Sequence, residues 1–122
     1  MKNFLAITLM GIAVAAMAVM TSPIIWEKTS LDLGEVKANE TTALSFEFTN
    51  SGDQPVTILS AKGSCGCTNV THTKEAINPG KSTRISANFK SGKPGNFNKT
   101  ITVITDQNDK PTVLRFSGTV VE

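Results

Sequence analysis

The chain has 122 residues, with 12 Lys and Arg against 10 Asp and Glu, and a hydrophobic fraction of 39%. Once an apolar leader is set aside, that is enough chain for one domain with one core and too little for two. The basic residues are scattered and form no stripe, which argues against a nucleic-acid partner.

The leader comes first. Lys2 and Asn3 precede an uncharged run, FLAITLMGIAVAAMAVM, from Phe4 to Met20. A positive start, a short apolar stretch and the small–x–small triplet Ala16-Met17-Ala18 make the pattern of a secretory signal peptide cleaved after Ala18. The run is shorter than the roughly 20 residues a spanning helix needs. Residues 1–18 are therefore read as a signal peptide and the protein as exported, periplasmic or secreted, with no membrane span after cleavage. The run does not end in a cysteine, so a lipoprotein anchor is not expected. Loss of Lys2 leaves eleven basic residues against ten acidic ones, close to neutrality.

Residues 19–30 form an N-terminal segment with a short strand over Ile24 to Glu27, and residues 31–122 form the main domain. Apolar residues then recur with period two. Leu44, Phe46 and Phe48 alternate with Ser45, Glu47 and Thr49. Val56 and Ile58 follow the turn Asn50-Ser51-Gly52-Asp53. Ile85, Ala87 and Phe89 alternate with Arg84, Ser86 and Asn88, and Ile101 and Val103 alternate with Thr100 and Thr102. Leu114, Phe116, Gly118 and Val120 close the series. Each run turns one face to a core and the other to water.

The punctuation agrees, with turn signals at Asn78-Pro79-Gly80-Lys81, at Ser91-Gly92-Lys93-Pro94-Gly95 and at Asp106-Gln107-Asn108-Asp109. β-Branched runs between regularly spaced turns predict an all-β, immunoglobulin-like antiparallel β-sandwich of about seven strands. The chain has no tyrosine, so it lacks the tyrosine corner of antibody-type domains. Phe97, just after Gly95, is expected to seal the sandwich.

Several of these segments resemble a family of exported bacterial proteins, the domain-of-unknown-function family 1573. The resemblance runs through Leu31-Asp32-Leu33-Gly34-Glu35-Val36 and FEFTNSGDQPVTI (Phe46 to Ile58). It continues through Ser64-Cys65-Gly66-Cys67-Thr68, Ile77-Asn78-Pro79-Gly80 and Gly95-Asn96-Phe97-Asn98-Lys99-Thr100-Ile101. The Ser-Cys-Gly-Cys-Thr core is its most specific part. The resemblance implies kinship with the immunoglobulin-like modules of sperm-protein and cilia-associated proteins, which bind other proteins and are not enzymes.

The soft ligands of the chain are concentrated in one stretch, because Cys65, Cys67 and the only histidine, His72, lie within eight residues. In a regular strand Cys65 and Cys67 would face the same way, about 6.6 Å apart, whereas a disulfide wants Cβ atoms roughly 3.8 Å apart. Gly66 is the residue that lets the chain pinch into a turn or bulge and bring them together. Two chemistries stay open. The pair forms a small disulfide that locks a loop or takes part in thiol–disulfide exchange, or its two thiolates hold a soft ion such as Cu(I), with His72 as a third ligand.

No other pattern carries catalysis. A Cys67–His72 pair has no orienting group in the sequence, and the cysteine spacing is one residue shorter than the redox-active Cys-x-x-Cys at a helix N-terminus. The expectation is a non-enzymatic module that binds another protein or an envelope component, with the Cys-Gly-Cys loop as its one chemically special feature. The alternatives are a Cu(I)-handling protein and a thiol–disulfide exchange protein.

Overall fold

Alternating side chains build eight strands in a computed structural model that describes residues 23–66, 68–107 and 110–122. The whole signal-peptide expectation, residues 1–18, and Cys67 lie outside the described residues. The strands are β1 (Ile24–Trp26), β2 (Ser30–Lys37), β3 (Thr42–Asn50), β4 (Ile58–Gly63), β5 (Thr68–Thr71), β6 (Ser82–Phe89), β7 (Gly95–Thr105) and β8 (Thr112–Val121).

They form two four-stranded sheets, ordered β1-β3-β6-β5 and β2-β8-β7-β4. The pairings are antiparallel, with one exception: β2 runs parallel to β8. This is the expected immunoglobulin-like sandwich with one strand more than expected. The extra strand is β5, Thr68–Thr71, where no apolar alternation was read, and the two N-terminal strands β1 and β2 join opposite sheets. Val56 was expected to share a strand with Ile58, but it sits before β4 and makes an isolated bridge to Ile77.

The core follows from the period-two pattern. Phe46, Phe48, Ile85, Phe89, Ile101, Val103, Leu114 and Phe116 are buried between the sheets, and each such side chain contributes about 1.5–3 kcal/mol of burial. Phe97 is half-buried and stacks on Phe89 with ring centroids 4.4 Å apart, so it seals the sandwich as expected. Its strand partner is Gly118. A Cβ at Gly118 would stand 2.6 Å from the Gly34 carbonyl and 2.8 Å from Phe97 Cζ, so only glycine fits. Gly34 itself sits at a bulge in β2 with φ +67°, and its N–H donates to Asp32 Oδ1 at 2.9 Å.

One end of the sandwich is closed around Asn50, a fully buried polar residue. Its Nδ2 donates to the carbonyls of Gln54 and Ile77, both at 2.8 Å, and its Oδ1 accepts the Gly52 N–H at 3.0 Å. Its main chain accepts from Gly80 N–H and donates to Lys81 O. The expected turns at Asn50–Asp53 and Asn78–Lys81 are thereby tied together through one side chain. Gly80 has φ +83°, as the turn there requires.

Candidate functional site

The Cys65 segment is the passage from one sheet to the other. β4 ends at Gly63 in the second sheet and β5 begins at Thr68 in the first, so the chain crosses the rim of the sandwich after Ser64. Ser64 still pairs with β7, donating its N–H to Thr100 O at 2.8 Å, while its Oγ accepts the Thr100 N–H at 3.1 Å. The chain then turns, and Thr68 N–H donates to Cys65 O at 3.3 Å.

Cys65 is half-buried and disulfide-bonded, and its Sγ lies 3.7 Å from the Thr68 hydroxyl. A sulfur held in a disulfide offers no thiolate to a metal. The other cysteine of the chain, Cys67, lies outside the described residues. Gly66 is exposed, its φ is not in the left-handed range, and a Cβ there would meet nothing within 4 Å beyond its chain neighbours. The tight glycine of this turn is Gly63, where a Cβ would come 3.0 Å from Thr68 Cβ.

His72 is not gathered into the turn. β5 carries the chain away from it for four residues, Thr68–Thr71, a run of roughly 10 Å. The His72 ring instead sits half-buried with Nδ1 2.8 Å from the Thr73 carbonyl. Among the described residues no group of three or more His, Cys, Asp or Glu is placed to hold a metal ion. Asp106 is engaged at the β7–β8 turn, where its Oδ1 accepts the Thr57 N–H at 2.9 Å.

Two surface features escaped the reading of the sequence. The outer face of the second sheet carries exposed Leu59, Ile104 and Val113, at 61%, 38% and 42% of full exposure. Ser60 pairs with Ile104 and Thr102 pairs with Val113. The register therefore sets Leu59 beside Ile104, with Val113 on the diagonal. The second feature is a length of β3, Thr42 to Phe46, that no strand among the described residues covers on the side away from β6. The signal for the first was faint, because Leu59 and Ile104 each extend an apolar alternation by one residue on the wrong face.

Comparison with known proteins places this architecture. A PapD-like domain of human CEP192 superposes with a TM-score of 0.67 at 11% identity, covering 96% of this chain and 98% of that one. WR4, a member of the MSP family from C. elegans, superposes with a TM-score of 0.56 at 11% identity, covering 83% of this chain and all of that one. A protein of unknown function from Porphyromonas gingivalis W83 gives a TM-score of 0.67 at 17% identity over 85% of this chain. This chain spans about half, 51%, of that protein's length. At these identities the likeness shows the fold alone, an immunoglobulin-like sandwich of the PapD and MSP kind. No curated protein sequence matches the chain. Among the described residues no helix is long and apolar enough to cross a membrane. The family model described as "Protein of unknown function (DUF1573)" matches residues 24–120, nearly the whole sandwich, and the chain belongs to that family.

Proposed function

We propose that the protein is an exported, non-enzymatic immunoglobulin-like module that binds another protein or an envelope component. The observation that carries this reading is the apolar group on the outer face of the second sheet. Leu59, Ile104 and Val113 stand in water on a sheet face that is otherwise polar, and such exposed patches mark interaction surfaces. The PapD-like and MSP-like likeness supports a binding role, since such a fold presents sheet faces, edges and loops to a partner.

In this reading the Cys-Gly-Cys turn is a locked rim loop. The disulfide at Cys65 favours that role over Cu(I) binding, which needs free thiolates. Copper binding by Cys65 and Cys67, with or without His72, would first require reduction. Thiol–disulfide exchange through the same pair is the remaining alternative, and it predicts a mixed disulfide trapped by a single-cysteine variant.

The test is capture of the partner from the protein's own compartment by chemical cross-linking. Leu59→Lys and Ile104→Lys are expected to abolish a discrete cross-linked species while leaving the β-type circular dichroism spectrum and the thermal midpoint unchanged. The double variant Cys65→Ser/Cys67→Ser is expected to retain it. Loss of the species in the cysteine variant alone, with both lysine variants still capturing it, would shift the function to the sulfurs.

A further inference from the structure

The first sheet is left open along β3. β1 covers β3 only from Phe48 to Asn50, and one further bond runs from Glu27 N–H to Glu47 O at 2.9 Å. Beyond that point the chain crosses to the second sheet and starts β2 at Ser30. The stretch from Thr42 to Phe46 is paired to β6 on one side and, among the described residues, has no strand on the other.

The hydrogen-bond phase along this edge is set by the bonds that do form. Glu47 O and Ser51 N–H both point toward β1, the latter donating to Pro23 O at 2.8 Å. In an antiparallel ladder such groups recur at every second residue. Ala43 and Ser45 therefore turn their N–H and C=O groups to the open side, while Leu44 and Phe46 bond to β6. The result is a short row of donors and acceptors at strand spacing with no partner strand among the described residues.

This row borders a cleft. Glu27, Lys28, Leu31, Ser45, Phe46 and Glu47 line it, so its walls come from both sheets. Leu31 is half-buried and packs on the core from the second sheet, which gives the cleft an apolar floor. A second shallow depression lies on the outer face beside the same edge, over the small residues Ala43, Ser45, Ser86 and Asn88. The slot is bounded at both ends by chain crossings, residues 27–30 at one end and the Ala38–Thr41 turn at the other. Natural edges are usually guarded by charges or bulges. β2 has both, with Asp32, Glu35, Lys37 and the bulge at Gly34. The open part of β3 has Ala43 and Ser45 instead.

We infer that the open edge of β3 takes an extended segment of a partner protein as an added strand. It runs antiparallel to β3 in line with β1, forms main-chain bonds to Ala43 and Ser45, and sets an apolar side chain on Leu31. The occupant is a polypeptide because only a strand repeats donors and acceptors at this spacing. It is a lone extended segment because the crossings at both ends leave room for a single chain and not for the edge of another folded sheet. Charged residues of both signs at the rim, Glu27 and Lys28 on one wall and the Glu47–Arg84 pair on the other, favour polar, uncharged residues flanking the apolar one. This inference rests on the chain being a binding module, but it does not depend on the Leu59 surface.

The probe is a phage-displayed library of short random peptides panned on the protein without its leader, followed by synthesis of the selected peptides. The expected peptides alternate apolar and polar residues. On binding they are expected to protect from hydrogen exchange the Ala43 and Ser45 amides, which in the free protein are expected to exchange fast. Ser45→Pro is expected to weaken binding by about tenfold, because it removes an outward N–H and no bond of the β3–β6 ladder. Should Ser45→Pro lower the folded fraction, Leu31→Lys is expected to weaken the same peptides while the β6 amides stay protected.

Peptides that bind Ser45→Pro with unchanged affinity and leave the Ser45 amide exchanging would overturn the inference. So would a library that yields no binder. Protection of Ala43 and Ser45 that appears on concentrating the protein without peptide would overturn it in favour of a second copy. In each of these cases cross-linking through Leu59 and Ile104 still decides the broader reading separately.

Discussion

Gly63 and Thr68 meet across the Cys65 turn so closely that a Cβ at Gly63 would lie 3.0 Å from Thr68 Cβ and 3.2 Å from its Cγ2. The turn thus brings the end of β4 against the start of β5 and joins the rims of the two sheets. Glycine is needed where the strands touch and not at Gly66, between the cysteines. A branched residue at Gly63 must push the two rims apart. Gly63→Val is expected to cost about 1–3 kcal/mol, while Gly66→Ala is expected to stay within about 0.5 kcal/mol. Urea unfolding of the two variants separates them, and the reverse order would contradict this placement of the strain.

Gly118 predicts a larger effect from a smaller change. Its neighbours include a backbone carbonyl, Gly34 O, and the Phe97 ring, which is itself held on Phe89. Neither can yield easily, so Gly118→Ala is expected to destabilise by about 2 kcal/mol or more. Phe97→Ala is expected to cost about 3 kcal/mol through loss of burial and stacking. Thermal unfolding of Gly118→Ala at the wild-type midpoint would contradict the packing.

Asn50 ties three carbonyl and amide groups together through one side chain. Asn50→Ala leaves the Gly52 N–H and the Gln54 carbonyl without that partner in a part-buried site. A loss of about 1–3 kcal/mol is expected, with faster amide exchange at Gly52 and Gly80. Asn50→Asp is expected to fare worse near neutrality than in acid. An ionised carboxylate cannot donate to the two carbonyls, whereas a protonated one can donate to one of them.

The single described ion pair predicts very little. Arg84 Nε lies 3.6 Å from Glu47 Oε1 with both side chains exposed. Glu47→Gln is expected to change stability by less than about 1 kcal/mol, with no strong salt dependence. A large effect would mean that the pair is buried under something in solution, which would point to an occupant of the neighbouring slot.

Much of the fold was legible because burial here is a period-two property. Leu44, Phe46 and Phe48, or Ile85, Ala87 and Phe89, cannot be placed on one side of anything but a strand, and the Asn-Pro-Gly turn punctuates them. The separate N-terminal strand was legible, but its place in the opposite sheet from β2 was not, and neither was β5. Nothing in Ile24 to Leu33 says that the chain changes sheets at Lys28, because that choice is made by pairing with β3 and β8, far away in sequence. The candidate site was only half legible. The cysteine turn announced itself by composition. The open length of β3 is a fact about which strand is absent beside it, and neither Ala43 nor Ser45 carries any local mark of it. Asn50 read as a turn former and turned out to be a buried hub, since its partners come from two loops that sequence separates by more than twenty residues.

The most direct measurement of the binding role places a photoreactive residue at Ile104, and in a control at the exposed Thr71, on β5 at the edge of the first sheet far from β3, in the full chain expressed in its own cells. The account predicts one discrete adduct from position 104 and none from position 71. No adduct from either position, or the same adducts from both, would contradict it.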